Sequence, residues 1–243
     1  MDKKFSSAIQ KIKSLEQYPD YESALIFGSI ASGSFTKESD IDIVVVTKEN
    51  REFKILHPYI NGIKLDLSYR SYSQLSQEMY DQVKKGSRAP MIAGSKILFD
   101  KTTRLKKLVK ELNEIKPAEL TKKDCDDIQF LVYHCNNKIE RNINNSPTTS
   151  LLTMHTSIQE ILAAHYKINR HWLVSSKKMI EDLNSWDQPL LELLTNFLNT
   201  SEVVQKIQQW NAIVEHVLSP LGGIKPLNEH IPNEYITDVQ RLL

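Results

Sequence analysis

Two carboxylates and a glycine–serine pair at a fixed spacing are the residues of this sequence best suited to chemistry. Gly28 and Ser29 follow a short apolar run, and after ten further residues come Asp40, Ile41 and Asp42. Because alternate side chains of a strand project from one face, Asp40 and Asp42 are expected to lie side by side. Two carboxylates so close repel each other unless a cation is bound. Oxygen ligands of this kind suit Mg²⁺ or Mn²⁺, so the spacing predicts a divalent-metal site.

A third carboxylate, Asp66, lies in a later alternating segment. Apolar and polar residues alternate over 63–69, which predicts a half-buried strand with Asp66 on its polar face. If that strand neighbours the strand that begins near Asp40, three carboxylates face one site, and three can support two metal ions. An isolated Asp-x-Asp pair is common at strand ends that meet solvent. The combination of the three acids with the residues at 28–29 is therefore what indicates a functional site.

The glycine–serine pair is suited to contact phosphate. Gly28 ends a buried apolar run and lets the backbone turn closely past a phosphate. The hydroxyl of Ser29 adds a donor beside backbone amides, and together these groups can hold phosphate oxygens. The pair and the acids predict a site for a triphosphate with its metal ions.

The elements that position these residues are strands and helices of the N-terminal part. The β-branched run that follows Asp40 is a strong strand signal, and Asn61-Gly62 fits a tight hairpin turn. A polar loop is predicted from Ser29 to Ser39. The predicted strands are 23–27, 40–47, 53–60, 63–69 and 96–99, and the predicted helices are 5–17 and 72–85.

Beyond residue 100 the strong signals are all helical. Apolar residues recur at helical spacing in segments that Pro and Asn-rich stretches interrupt, and no strand signal of comparable strength appears. We therefore predict an α+β fold. Residues 1–100 form a mixed-sheet domain with flanking helices that carries the candidate site. Residues 101–243 form an all-α helical bundle.

The pattern of Gly28, Ser29, Asp40, Asp42 and Asp66 resembles the DNA polymerase β-like nucleotidyltransferase superfamily. It is most similar to small bacterial members with a helical C-terminal domain, such as aminoglycoside and lincosamide nucleotidyltransferases. This resemblance implies transfer of a nucleoside monophosphate to an acceptor hydroxyl with release of pyrophosphate. It implies that Gly28 and Ser29 contact the triphosphate. It also implies that Asp40 and Asp42 coordinate both metals, while Asp66 coordinates the metal at the acceptor or serves as its base.

The same resemblance implies that the helical domain, residues 101–243, serves acceptor binding or interaction. It also implies that this domain supplies a lysine to the triphosphate. Lys177 and Lys178 are the candidates, because they stand at the start of a predicted helix. Lysine at that position opposes the helix dipole, which hints at another purpose. A solvated helix face is the alternative interpretation of both residues.

Composition narrows the classes of partner. The chain has 31 basic and 30 acidic residues and a net charge of +1, which argues against long nucleic acid as the main substrate. Two cysteines are too few for a disulfide framework. The sequence shows neither the apolar stretch of a signal peptide nor a run long enough to cross a membrane. We therefore expect a cytoplasmic protein that acts on a small molecule, with no membrane partner.

Three functions remain open. The first is nucleotidyl transfer to a small molecule, with ATP as the expected donor and an antibiotic as a candidate acceptor. The second is modification of a protein or an RNA, as in toxin–antitoxin systems. The third is a nucleotide-binding regulator without catalysis, which the intact set of carboxylates argues against. A homodimer built through the helical domain is compatible with the resemblance, although no feature of the sequence requires one.

Overall fold

The chain folds into two units, the first built of strands and helices and the second of helices. The structure, a computed structural model, describes residues 3–49 and 54–225. The first unit spans Met1–Lys116 and the second spans Pro117–Leu243. The elements of the first unit are α1 (Lys3–Lys13), β1 (Tyr21–Phe27), α2 (Gly28–Ser32), β2 (Ile41–Thr47), β3 (Lys54–Leu56), β4 (Tyr59–Ile60), β5 (Ile63–Ser71), α3 (Tyr72–Lys84), β6 (Lys96–Asp100) and α4 (Arg104–Glu114).

The strands of the first unit form a mixed sheet. Their order is β3-β5-β2-β1-β6, and β4 pairs with β5. β2 and β5 run parallel, whereas the other pairs are antiparallel. The parallel register places Asp42 directly beside Asp66. The neighbouring strands that the sequence hypothesis required are therefore present.

The period-two alternation of the strands gives the sheet two covered faces. Ile41 and Ile43 pack with residues of α1 and α2 on one face. Val44 and Val46 pack with residues of α3 and α4 on the other. Since Asp42 is two residues before Val44, its side chain projects toward the second of these faces. Helices on both faces of a mixed sheet confirm the α+β class of this unit.

The helix α4 belongs to the first unit. Its residues Leu105, Leu108 and Leu112 are buried in one cluster with Leu25 and Val44 of the sheet. The boundary predicted at residue 100 therefore falls before a helix that covers the sheet, and the contacts of the chain place the boundary after Lys116. The leucine spacing identified the helix, but a local pattern does not specify which surface a helix covers.

Two local predictions for the first unit need correction. The segment from Ser29 to Ser39, predicted as a loop, begins inside the short helix α2, which ends at Gly33 with a φ of 84°. The strand predicted over 53–60 is instead the pair β3 and β4. Pro58 lies between them and has no N–H to donate to the ladder. Residue 53 lies outside the described residues.

The second unit is helical, as predicted. Its helices are α5 (Lys122–Asn142), α6 (Pro147–Ile168), α7 (Ser176–Trp186), α8 (Gln188–Asn199) and α9 (Val203–Leu218). Tyr166, Phe197 and Trp210 are fully buried in its core. The indole Nε1 of Trp210 donates to Asn136 Oδ1 at 2.8 Å, which satisfies the one polar atom of that side chain. Within the described ranges, no helix has the length and apolar composition to span a membrane.

Asp124 is expected to make the stability of the second unit depend on acid pH. Its carboxylate forms a capping box with Thr121 at the start of α5 and pairs with Lys167. The contact with Lys167, followed by the hydrogen bonds from Thr121, lowers the pKa of Asp124 to about 2 from its ordinary value of 3.8. Because the folded pKa is depressed, the stabilisation is present above the ordinary value and is lost as the pH falls toward 2.

The measurement is urea unfolding of the wild type and of Asp124→Asn across this acid range. Asparagine keeps an oxygen that can accept the hydrogen bond from the backbone N–H of the capping residue Thr121, so the difference in unfolding free energy reports the charge of Asp124. We expect that difference to shrink with falling pH, and also with added salt, since the pair with Lys167 is partly exposed. A difference that stayed constant from neutral pH to the acid limit would contradict this account.

Candidate active site

Three acids converge on one face of the sheet. Asp40 directly precedes β2, Asp42 lies within β2, and Asp66 lies within β5. Asp42 and Asp66 are register partners, and Asp40 shares the face of Asp42 because it lies two residues away. One carboxylate oxygen from each acid lies within 4.8 Å of the other two. The structure thus brings together the three acids that the sequence singled out.

Gly28 is required by the close approach of Asp42. Gly28 is the first residue of α2 and directly follows Phe27. Phe27 stands opposite Asp42 in the sheet, so Gly28 lies beside that acid. Gly28 has a φ of +68°, and a Cβ at this position would lie 2.1 Å from Asp42 Oδ2. No other residue type fits both this backbone conformation and this space. Glycine therefore allows the close placement of a carboxylate here, a role that no local sequence signal indicates.

Ser29 presents a hydroxyl that is available to a ligand. Its carbonyl oxygen accepts hydrogen bonds from the backbone N–H groups of Gly33 and Ser34, each at 3.0 Å. The hydroxyl of Ser32 donates to the same carbonyl at 3.1 Å. These bonds fix the turn after β1, whereas the Ser29 hydroxyl has no partner among the described residues. The position is consistent with the predicted contact to phosphate, which stays a prediction.

Lys64 places a positive charge among the acids. Its Nζ lies 2.9 Å from Asp66 Oδ1 and 3.5 Å from Asp40 Oδ2. The contact with Asp66 is the main reason that the pKa of Lys64 is raised, although burial acts in the opposite direction. An ammonium group at this distance offsets part of the repulsion between the carboxylates.

His57 holds Asp66 from the neighbouring strand segment. Its Nδ1 lies 2.6 Å from Asp66 Oδ1. Since an ionised carboxylate only accepts hydrogen bonds, Nδ1 is the donor. Burial acts to raise the pKa of Asp66, but the contacts with Lys64 and His57 outweigh it and hold that pKa below its ordinary value. The contacts with Lys64 and His57 therefore orient the Asp66 carboxylate and keep it ionised.

Lys64 and His57 were not predicted as site residues, although the sequence contains the signal for both. Lys64 is two residues before Asp66 on the same strand and so shares its face. The two-residue turn at 61–62 sets the register of the hairpin, in which Tyr59 stands opposite Lys64. Two residues further along each strand, His57 comes opposite Asp66.

Lys177 and Lys178 lie apart from these residues in the sequence, in the second unit. Both are exposed near the start of α7, which begins at Ser176. Their role at the triphosphate was an implication of the resemblance, and it stays a prediction.

The acidic group has the ligands that a divalent cation of the Mg²⁺ class requires. All three ligands are carboxylates, and the side chains of Asp40 and Asp66 keep 40% and 28% of their exposure. Partial exposure leaves room for water and for the oxygens of a substrate in the coordination shell. Asp40, Asp42 and Asp66 could therefore hold a metal ion.

The match to a protein-family model agrees with this geometry. A family model described as "Polymerase beta, Nucleotidyltransferase" matches residues 10–103, which include every residue of the acidic group and its neighbours. A solved structure of a nucleotidyltransferase-like protein from Exiguobacterium sibiricum 255-15 is similar to this chain at 16% sequence identity. The alignment covers 98% of this chain and 80% of that chain, with a TM-score of 0.49. No curated protein sequence matches the chain.

Proposed function

Because residues 10–103 form a domain of the DNA polymerase β-like nucleotidyltransferase superfamily, we propose that this chain transfers a nucleoside monophosphate to the hydroxyl of a small-molecule acceptor. The observation that carries the proposal is the convergence of Asp40, Asp42 and Asp66 beside the Gly28 turn. ATP is the expected donor, and Mg²⁺ or Mn²⁺ is the expected ion. An antibiotic of the aminoglycoside or lincosamide class is the first acceptor to test.

Each residue of the site has a role in this proposal. Asp40 and Asp42 would hold the cations, and Asp66 would complete the coordination on the acceptor side or take the acceptor proton. Divalent cations in such a site offset the charge of the triphosphate and activate the attacking oxygen. The backbone at Gly28 and the hydroxyl of Ser29 contact the triphosphate.

The reaction balances as a substitution at the α-phosphorus. The acceptor oxygen forms a bond to that phosphorus, and the bond from the α-phosphorus to the bridging oxygen breaks. Pyrophosphate leaves, and the hydroxyl proton passes to Asp66 or to water. Because His57 and Lys64 both contact Asp66, they orient the carboxylate that stands on the acceptor side.

The experiment that tests the function follows pyrophosphate release. The protein is incubated with Mg²⁺, each ribonucleoside triphosphate in turn, and a panel of aminoglycosides and lincosamides. The matched control carries Asp40→Ala and Asp42→Ala. Release that requires an acceptor and disappears in the control would support transfer and identify the acceptor class.

The other outcomes separate the rival functions. Metal-dependent binding of a triphosphate without release would remove the antibiotic hypothesis for the panel tested and direct the search to a protein or RNA acceptor. Binding that no acceptor converts into release would favour a regulator. Neither release nor binding of a triphosphate would contradict the proposal.

Replacing Lys64 by glutamine is expected to tighten the binding of Mg²⁺ in the absence of nucleotide. The ammonium group lies 2.9 Å from Asp66 Oδ1 and repels a cation held by the same carboxylates. Removing one positive charge at this distance, in a largely solvated setting, should lower the Kd roughly fivefold. Isothermal titration calorimetry of the free protein measures this change.

The matched control for this measurement is Lys84→Gln. Lys84 is an exposed lysine of α3 that pairs with Asp81 and not with the acids of the site, so its removal should leave Mg²⁺ affinity unchanged. Weaker Mg²⁺ binding in Lys64→Gln than in the wild type would show that Lys64 supports the carboxylates more than it competes with the ion.

A further inference from the structure

Three polar side chains converge in the second unit, outside the candidate active site. His165 belongs to α6, Asp187 lies between α7 and α8, and His216 belongs to α9. His165 Nε2 lies 2.7 Å and His216 Nε2 lies 2.9 Å from the same atom, Asp187 Oδ2. One potential ligand atom from each residue lies within 4.8 Å of the other two. The fold thus brings two imidazole nitrogens and one carboxylate oxygen together from three separate helical segments.

His165 has a buried nitrogen without a hydrogen bond. The residue is 2% exposed, and within the described chain its Nε2 has no hydrogen-bond partner. The short distance to Asp187 lacks the alignment of a hydrogen bond, whereas His216 Nε2 has that alignment to the same oxygen.

A buried ring nitrogen that lies close to a carboxylate without the alignment of a hydrogen bond requires an explanation. Leaving such a group unsatisfied costs about 1–3 kcal/mol in a typical protein. A cation coordinated by the nitrogen and by the carboxylate oxygen, once these two atoms move apart from their 2.7 Å separation, would satisfy both.

The three side chains are held in place by their surroundings. Asp187 Oδ1 accepts a hydrogen bond from the backbone N–H of Leu190 at 3.0 Å, which caps α8 and leaves Oδ2 toward the histidines. The ring of His165 stacks on Trp186 with centroids 5.1 Å apart and an interplanar angle of 10°. Side chains oriented by their neighbours lose less conformational freedom when they bind an ion.

We propose that His165, Asp187 and His216 form a binding site for a transition-metal cation of the Zn²⁺ class. Two imidazole ligands favour Zn²⁺ over Mg²⁺, which prefers oxygen ligands. Three protein ligands leave the fourth tetrahedral position to water. The ion would connect α6, the α7–α8 junction and α9 at one point of the helical unit.

Zinc binding to the full chain tests the proposal. Equilibrium dialysis with Zn²⁺ is performed on protein that carries Asp40→Asn and Asp42→Asn, so that the carboxylates of the first unit contribute little. One zinc ion per chain is expected. In this background, His216→Gln and Asp187→Asn should each weaken the binding by about tenfold or more. The asparagine of Asp187→Asn would keep a side-chain oxygen that can cap α8. A weaker affinity in Asp187→Asn would therefore report the loss of the carboxylate ligand and not a disrupted start of the helix.

His134→Gln is the matched control for these variants. His134 is an exposed histidine of α5 that stacks on Phe130 and lies outside the cluster. Its removal should leave zinc affinity unchanged. Zinc should also raise the Tm of the Asp40→Asn, Asp42→Asn protein, because an ion that binds only the folded chain stabilises it. It should not raise the Tm of the His216→Gln and Asp187→Asn variants, which lack a ligand. Absence of zinc binding, or binding that both cluster variants retain in full, would overturn the proposal.

Discussion

Replacing Asp42 by asparagine is expected to reduce Mg²⁺-dependent pyrophosphate release by about 10³-fold or more. Asp42 is central in the acidic group, since it is the register partner of Asp66 and shares a strand face with Asp40. Asparagine keeps the size of the side chain and removes its charge, so the remaining two carboxylates hold a divalent cation more weakly. Release is measured at saturating nucleotide and over a range of Mg²⁺ concentrations.

The control for this prediction is Asp81→Asn. Asp81 is a partly exposed acid of α3 that pairs with Lys84, and its replacement should leave the rate within about twofold of the wild type. Thermal unfolding of both variants establishes that the chains are folded. An Asp42→Asn protein that kept most of its rate would remove Asp42 from the proposed chemistry and, with it, the assignment of the metal site.

Replacing Gly28 by alanine is expected both to destabilise the first unit and to abolish most of its activity. The backbone at Gly28 has a φ of +68°, and an added Cβ would lie 2.1 Å from Asp42 Oδ2. The left-handed conformation and the forced displacement of a packed group together should cost about 3 kcal/mol. Asp42 must also move away from the position beside Asp66, so transfer should fall even in the molecules that remain folded. Urea unfolding and pyrophosphate release measure the two effects.

Gly33→Ala separates the two causes. Gly33 has a φ of +84°, but a Cβ there would have no atom within 4 Å. Alanine at this position should therefore carry only the backbone cost of about 1 kcal/mol and leave the rate unchanged. Equal effects of the two substitutions on stability and rate would show that the approach of Asp42 to Gly28 has no functional consequence.

The residues at 28–29 and the three acids can be identified from the amino-acid sequence because their signals are local. A glycine after an apolar run and acids at a spacing of two in a β-branched run are each readable from a few neighbouring positions. These signals also correctly predicted the strands β1, β2 and β5 and the hairpin turn between β4 and β5. The chemical roles of these residues stay predictions.

The errors concern contacts between distant segments. The sequence-based boundary at residue 100 separated α4 from the sheet that it covers, because an apolar stripe shows that a helix is covered but not by what. Lys64 and His57 were predicted only as strand residues. The register of the hairpin places both of them beside Asp66. Register was the missing step, since it converts a list of strands into a set of facing side chains.

The sequence by itself determined the types of the elements, the class of the fold and the acids that could bind a metal. These features depend on periodicity and composition within short windows, where the backbone geometry of a helix or strand fixes which side chains share a face. Only the tertiary structure decided that β2 lies parallel to β5 and that Asp42 lies directly against Gly28. The same holds for the close approach of His165, Asp187 and His216. Such contacts join residues far apart in the chain, and they follow from the packing of whole elements, which no local pattern contains.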